Sequence, residues 1–155
     1  MVRPFVAVLL LITALFSGSV RAEDLLATAQ RSGSFKIFLD AVKISGLTRE
    51  LKTEGPFTAF IPADDAFGRL PEDEWQTLSK NPEQMAKMIR YHLTKGKVKV
   101  TEVKPGLVNS IEGHPLTLKS DNGMVTVNGA RVIESDLIAD NGIIHAIDAV
   151  LLPPD

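Results

Sequence analysis

The stretch "NGIIHAIDAVLLPPD", Asn141 to Asp155, decides the fold. An Asn-Gly pair is followed by a run rich in Ile and Val, which predicts a strand rather than a helix. Alternate residues of a strand share a face. Ile143, His145, Ile147, Ala149 and Leu151 then lie on one side, and Ile144, Ala146, Asp148, Val150 and Leu152 on the other. His145 and Asp148 point opposite ways and form no dyad unless a bulge breaks the alternation. Both faces are apolar, so the strand is central and covered on both sides. Each polar group on it needs a hydrogen-bond partner, because burial without one costs a few kcal/mol. His145 and Asp148 are therefore expected to be structural fixtures.

Upstream, the periodicity divides the chain. "DLLATAQRSG" reads as a short amphipathic turn or two of helix closed by Gly33. "SFKIFLDAVKISGL" sets Phe35, Phe38, Leu39 and Val42 on one helical face, with Ser34 as N-cap and Gly46 as stop. "TRELKTEG" is a further short helix ended by Gly55. "PEDEWQTLSK" opens on Pro71 with acids in its first turn. "NPEQMAKMIRYHL" has Asn81 as cap, Pro82 at the first helical position and an inner stripe of Met85, Met88, Ile89 and Leu93. "FTAFIP", Phe57 to Pro62, interrupts these helices as a strand. Beyond residue 95 the pattern is β: "KVKVTEV", "LVNSI", "PLTLKS", "MVTVN" and "ARVI". "DNG" at 121–123 and Asn128–Gly129 are hairpin turns. The class is α+β, helices first and a largely antiparallel sheet after, with "FTAFIP" and the last strand competing for its centre. No internal repeat or low-complexity tract is visible.

Residues 1–22 read as a signal peptide. Arg3 precedes the apolar run Phe5 to Phe16, and "SVRA" puts small residues before a cut that leaves Glu23 first. The run is too short for a comfortable membrane span. Residues 23–155 then form one domain, large enough for a core without staples. The export signal implies an oxidising compartment, yet the chain has no cysteine and so uses no disulfide. Without Arg3 and Arg21 there are 15 basic against 19 acidic side chains, a formal charge of −4. Neither nucleic acid nor an anionic membrane gains electrostatic support from that balance. The densest basic cluster, "KGKVK" at 95–99, reads as a solvated turn and strand edge.

No constellation for chemistry emerges. His114 sits in the turn "EGHPL". His92 follows Tyr91 at a helix end, where an imidazolium would complement the dipole. There is no HExxH, EF-hand pattern or carboxylate trio for a metal, and no GxSxG or SxxK for a nucleophile. The acids at Asp64–Asp65 and Glu72–Glu74 suit helix starts. The expectation is no catalytic residue, no cofactor and no metal.

Three landmarks resemble the fasciclin-like (FAS1) domain family, in its order. "FTAFIPADDAF", Phe57 to Phe67, is similar to its first homology box. "YH", Tyr91–His92, is similar to its central motif. "NGIIHAIDAVLLPP", Asn141 to Pro154, is similar to its second box. The chain departs from the pattern at Ile61 and Ala63. The missing Thr at 63 leaves Asp64 as the cap of the following turn.

The resemblance implies the FAS1 fold, short helices packed on a mostly antiparallel β-wedge or sandwich. It implies a non-enzymatic, secreted or periplasmic domain for adhesion, contacting a surface or matrix protein or glycan. In animal members two regions are associated with integrin binding. The matching positions here are Tyr91 and His92, and "ESDLI" with Glu134, Asp136 and Leu137. Asp136 matches the acid, while Ser135, Leu137 and Ile138 replace Pro, Ile and Met. Ordinary core packing is the competing expectation for Leu137 and Ile138. The absence of cysteine and of an N-glycosylation sequon suits a bacterial member. A periplasmic or secreted small-molecule, lipid or metal binder is the alternative function.

Overall fold

The structure, a computed structural model, describes residues 23–155. The expected signal peptide lies outside the described residues. Three short helices come first: α1 (Leu25–Ser32), α2 (Lys36–Ser45) and α3 (Thr48–Thr53). Strand β1 (Phe57–Pro62) follows, then α4 (Asp64–Phe67), α5 (Glu72–Ser79) and α6 (Pro82–Tyr91). The rest is β2 (Leu93–Lys95), a 3-10 turn (Val100–Glu102), β3 (Gly106–Asn109), β4 (Pro115–Asp121), β5 (Met124–Val127), β6 (Ala130–Ala139) and β7 (Gly142–Ile147).

The expected caps hold in part. Asn81 caps α6 through Gln84 N–H, and Gly33 and Gly46 end α1 and α2 with positive φ; Asp24, not anticipated from sequence, caps α1 through Ala27 N–H. Ser34 is not the cap of α2. The carboxylate of Asp64 reaches across 27 residues and accepts from Ile37 N–H at 2.8 Å. Asp64 therefore satisfies α2 and not α4, whose N-cap Ala63 makes no side-chain bond. Leu93 belongs to β2, two residues past the helix end, and α3 stops at Thr53, two residues before Gly55.

All seven strands form one sheet in the order β2-β1-β7-β6-β5-β4-β3. The β1–β7 pair is parallel and the other five pairings are antiparallel. An isolated bridge, Thr94 to Ser110, ties β2 to the end of β3, and Ile111 N–H donates to Leu93 O at 2.7 Å. The two edges thus meet, and the wedge comes close to a closed barrel, which removes part of the edge-strand liability.

Strands β1 and β7 are buried at every position, as a parallel, two-sided pair requires. Their alternate residues serve two cores. Phe57, Ala59 and Ile61 join Ile144 and Ala146 against the helices, with Phe38, Met85, Met88 and Ile89. Phe60 and Ile147 turn inward to Leu116, Leu118 and Val127. Asp148 lies just past the strand, where its carboxylate accepts from Arg131 N–H at 2.8 Å and meets Arg69 at 3.6 Å.

"KVKVTEV" is not a strand. Residues 96–99 carry no regular structure and continue into the 3-10 turn. They are a strap held by side chains instead of a ladder. Thr58 Oγ1 donates to Gly96 O and accepts from Val98 N–H. The strap's alternating Val and Lys satisfy the β pattern, but no strand lies beside it to pair with.

Candidate functional site

The positions singled out by sequence fall into two separate groups. Tyr91 and His92 end α6 and are buried, 3% and 0% exposed. Tyr91 Oη accepts from Asn128 Nδ2 at 2.8 Å and lies 3.4 Å from Pro115 O. His92 Nδ1–H donates to Met88 O at 2.7 Å, one turn back, and Nε2 accepts from Leu151 N–H at 2.9 Å. The pair clamps α6 to β4 and the β5–β6 turn on one side and to the C-terminal segment on the other. Burial pushes the His92 imidazole down to about 4, against the pull of its bond to Met88. The ring is neutral at pH 7, so the expected imidazolium at a helix end is corrected: desolvation outweighs the dipole.

Glu134, Asp136 and Leu137 lie on β6, where two register shifts against β7 mark bulges, between Val132 and Glu134 and between Glu134 and Leu137. Asp136 takes a left-handed φ of 60°, a conformation Asp tolerates better than most residues. That turn aims its N–H at His145 Nδ1, 3.2 Å away, and its Oδ1 at Val100 N–H, 2.9 Å away. His145 Nε2–H in turn donates to Val98 O at 2.7 Å. His145 and Asp136 thus form one unit that fastens the strap to the sheet.

The bulges decide what β6 shows to solvent. Leu137 packs against the helical core. Ile138 is 62% exposed and Ile133 58% exposed, with Glu134 and Ser135 between them also exposed. Core packing thus holds for Leu137 and fails for Ile138, because the second bulge rotates it outward. Sequence reasoning missed Ile133, since a bulge leaves no periodic signal in one strand.

His114 is half-exposed in its turn, with Nδ1 2.8 Å from Glu112. Desolvation alone would raise the Glu112 carboxyl. Hydrogen bonds from the His114 N–H and ring prevail and hold it below the usual carboxylate value. Among the described residues no three His, Cys, Asp or Glu side chains are grouped to hold a metal, and no helix is long and apolar enough to cross a membrane.

Residues 33–153 match the Fasciclin domain family model. Protein sll1483 of Synechocystis sp. is 40% identical over 135 residues, 86% of this chain and 75% of that protein. Transforming growth factor-beta-induced protein ig-h3 of Sus scrofa is 37% identical over 122 residues, 77% of this chain and 18% of that protein. The FAS1 domain pair of the insect cell adhesion molecule Fasciclin I shares the fold, with a TM-score of 0.72 at 17% identity over 84% of this chain and 51% of that one. The expected α+β architecture, the two homology boxes at β1 and β7 and the match over most of the sequence agree: the chain belongs to the Fasciclin domain family.

Proposed function

We propose that this domain is a non-enzymatic, extracytoplasmic adhesion or interaction module that contacts a surface or matrix protein or glycan. The observation that carries the reading is the bulged face of β6. It presents Ile133 and Ile138, both more than half exposed, beside the acid Glu134. Exposed aliphatics framed by polar groups are a common ingredient of contact surfaces. Occurrence of the same domain in a protein named as a cell adhesion molecule supports it.

The histidines support the non-enzymatic part. Both ring nitrogens of His92 and of His145 are engaged with backbone groups, so neither ring has a free position from which to act as a base. Tyr91 and His92 contribute by shaping the surface around them, and Asp136 by holding the bulge. Glu134 is the acid of the segment free to meet a partner.

Cell attachment to immobilised protein tests the reading, together with a glycan array. Wild type is expected to support attachment, and the Ile133→Ser/Ile138→Ser variant to lose most of it at unchanged melting temperature. Equal attachment by both proteins, or none by wild type with an empty array, overturns it.

A further inference from the structure

We propose that Asn122–Gly123, at the tip of the β4–β5 hairpin, is a site of spontaneous covalent modification, where the asparagine side chain cyclises onto the backbone and becomes aspartate or isoaspartate. Three Asn-Gly pairs stand in the chain, at 122, 128 and 141. Glycine has no side chain to shield its backbone nitrogen, so by sequence all three pairs are open to this reaction. Tertiary structure separates them.

At Asn128 and Asn141 both ends of the amide are held. Asn128 Oδ1 accepts from Thr117 N–H at 2.7 Å, and Nδ2 donates to Tyr91 Oη at 2.8 Å. Asn141 Oδ1 accepts from Leu25 N–H at 2.9 Å, while Nδ2 donates to Leu51 O at 2.7 Å and Glu54 O at 2.8 Å. Swinging either side chain onto the next nitrogen breaks those bonds first. Asn128 is exposed, so its bonds and not burial protect it. Asn122 differs. It and Gly123 are both exposed, and among the described residues no hydrogen bond holds the Asn122 side chain. A Cβ on Gly123 would meet nothing within 4 Å, whereas Gly142 is crowded by Phe57 O and Leu25. The turn sets φ at 49° for Asn122 and 80° for Gly123. Loosening that tip breaks a single ladder pair, Asp121 with Met124.

In the reaction the Gly123 nitrogen attacks Asn122 Cγ. A C–N bond forms, the Cγ–Nδ2 bond breaks, and Nδ2 leaves as ammonia with the Gly123 proton. The cyclic imide then takes up a water molecule. Cleavage of its bond to Cγ gives aspartate; cleavage of its bond to the Asn122 main-chain carbonyl gives isoaspartate. Water is the only co-reactant. Either product adds a negative charge beside Asp121. Isoaspartate also lengthens the turn by a backbone carbon, so Asp121 and Met124 lose their facing positions.

Peptide mapping by mass spectrometry tests the assignment, on the purified full chain held at mildly alkaline pH, folded and in urea. In the folded chain Asn122 is expected to convert about tenfold or more faster than Asn128 or Asn141, whose hydrogen bonds must open first. In urea the three are expected to convert at similar rates. Asn122→Gly keeps the positive φ and removes the reacting group, so its folded form is expected to lack the early acidic species on ion exchange. Conversion at Asn128 or Asn141 as fast as at Asn122 in the folded chain overturns the proposal. So does suppression by folding as strong at Asn122 as at the other two, or an undiminished acidic drift in Asn122→Gly.

Discussion

His92 and His145 share a strategy with opposite tautomers. His92 carries its proton on Nδ1 and accepts at Nε2; His145 carries it on Nε2 and accepts at Nδ1. Each converts an imidazole into a staple between backbone segments distant in sequence. For His92 the cost appears as pH dependence. Its folded value, about 4, lies below the ordinary 6.5. Between those values the unfolded chain binds a proton that the folded chain refuses. Stability from this group is therefore complete above pH 6.5 and falls as pH drops toward 4, by roughly 3 kcal/mol across the window. Urea unfolding between pH 7 and 4 should show that loss in wild type and a flatter profile in His92→Gln. His145→Ala removes two hydrogen bonds and leaves Val98 O without its partner, so a loss of about 1–3 kcal/mol is expected. Hydrogen exchange should localise the new mobility to residues 96–100. Asp136→Asn keeps an acceptor for Val100 N–H and removes the charge, so stability should stay within about 1 kcal/mol of wild type. Attachment lost in that variant would show that the charge itself is recognised.

At the scale of elements, turns and close approaches fix the sheet. Asn128 has a φ of 50°, bonds Thr117 N–H at 2.7 Å through Oδ1 and reaches Tyr91 Oη through Nδ2. Asn128→Gly keeps the backbone conformation and loses both bonds; Asn128→Ala loses the bonds and strains the turn. The expected order of thermal stability is wild type, then Gly, then Ala, with the Ala variant down by about 1–3 kcal/mol. Gly142 opens β7 where a Cβ would stand 2.5 Å from Phe57 O and 2.8 Å from Leu25 Cδ2. Gly142→Ala must push β1 or α1 away and should cost about 1–3 kcal/mol, measured by chemical unfolding. Its neighbour Asn141 accepts from Leu25 N–H and donates to Leu51 O and Glu54 O. The third Asn-Gly pair thus serves as a knot between helices and sheet, whereas the first two are turns in which both residues have positive φ.

The whole molecule is closed by its last strand. β7 lies between β1 and β6, sends Ile144 and Ala146 to the helical core and Ile147 to the inner core, and carries His145 to the strap. Removal of residues 142–155 would open both cores and leave β1 without its parallel partner. That truncation should abolish folding, seen as lost protease resistance and a collapsed far-UV signal. The intact chain should unfold in a single transition, because the two cores share the strand pair β1–β7.

The sequence by itself determined the α+β class, the strand "FTAFIP", a buried strand opening at Asn141–Gly142, and the helix ends at Gly33, Gly46 and Asn81; the strand stops at Ile147, so Asp148 lies outside the alternation expected to run on to Leu152. These are local matters of periodicity, capping and alternation, written within a dozen residues. Tertiary structure alone decided that "KVKV" is a strap, that Asp64 caps a helix 27 residues upstream, and that His92 is neutral. It also decided which of Leu137 and Ile138 faces water. Each of those depends on a neighbour far along the chain: an absent pairing strand, an orphan N–H, a desolvating core or a bulge in register. Such neighbours exist only once the strands have met.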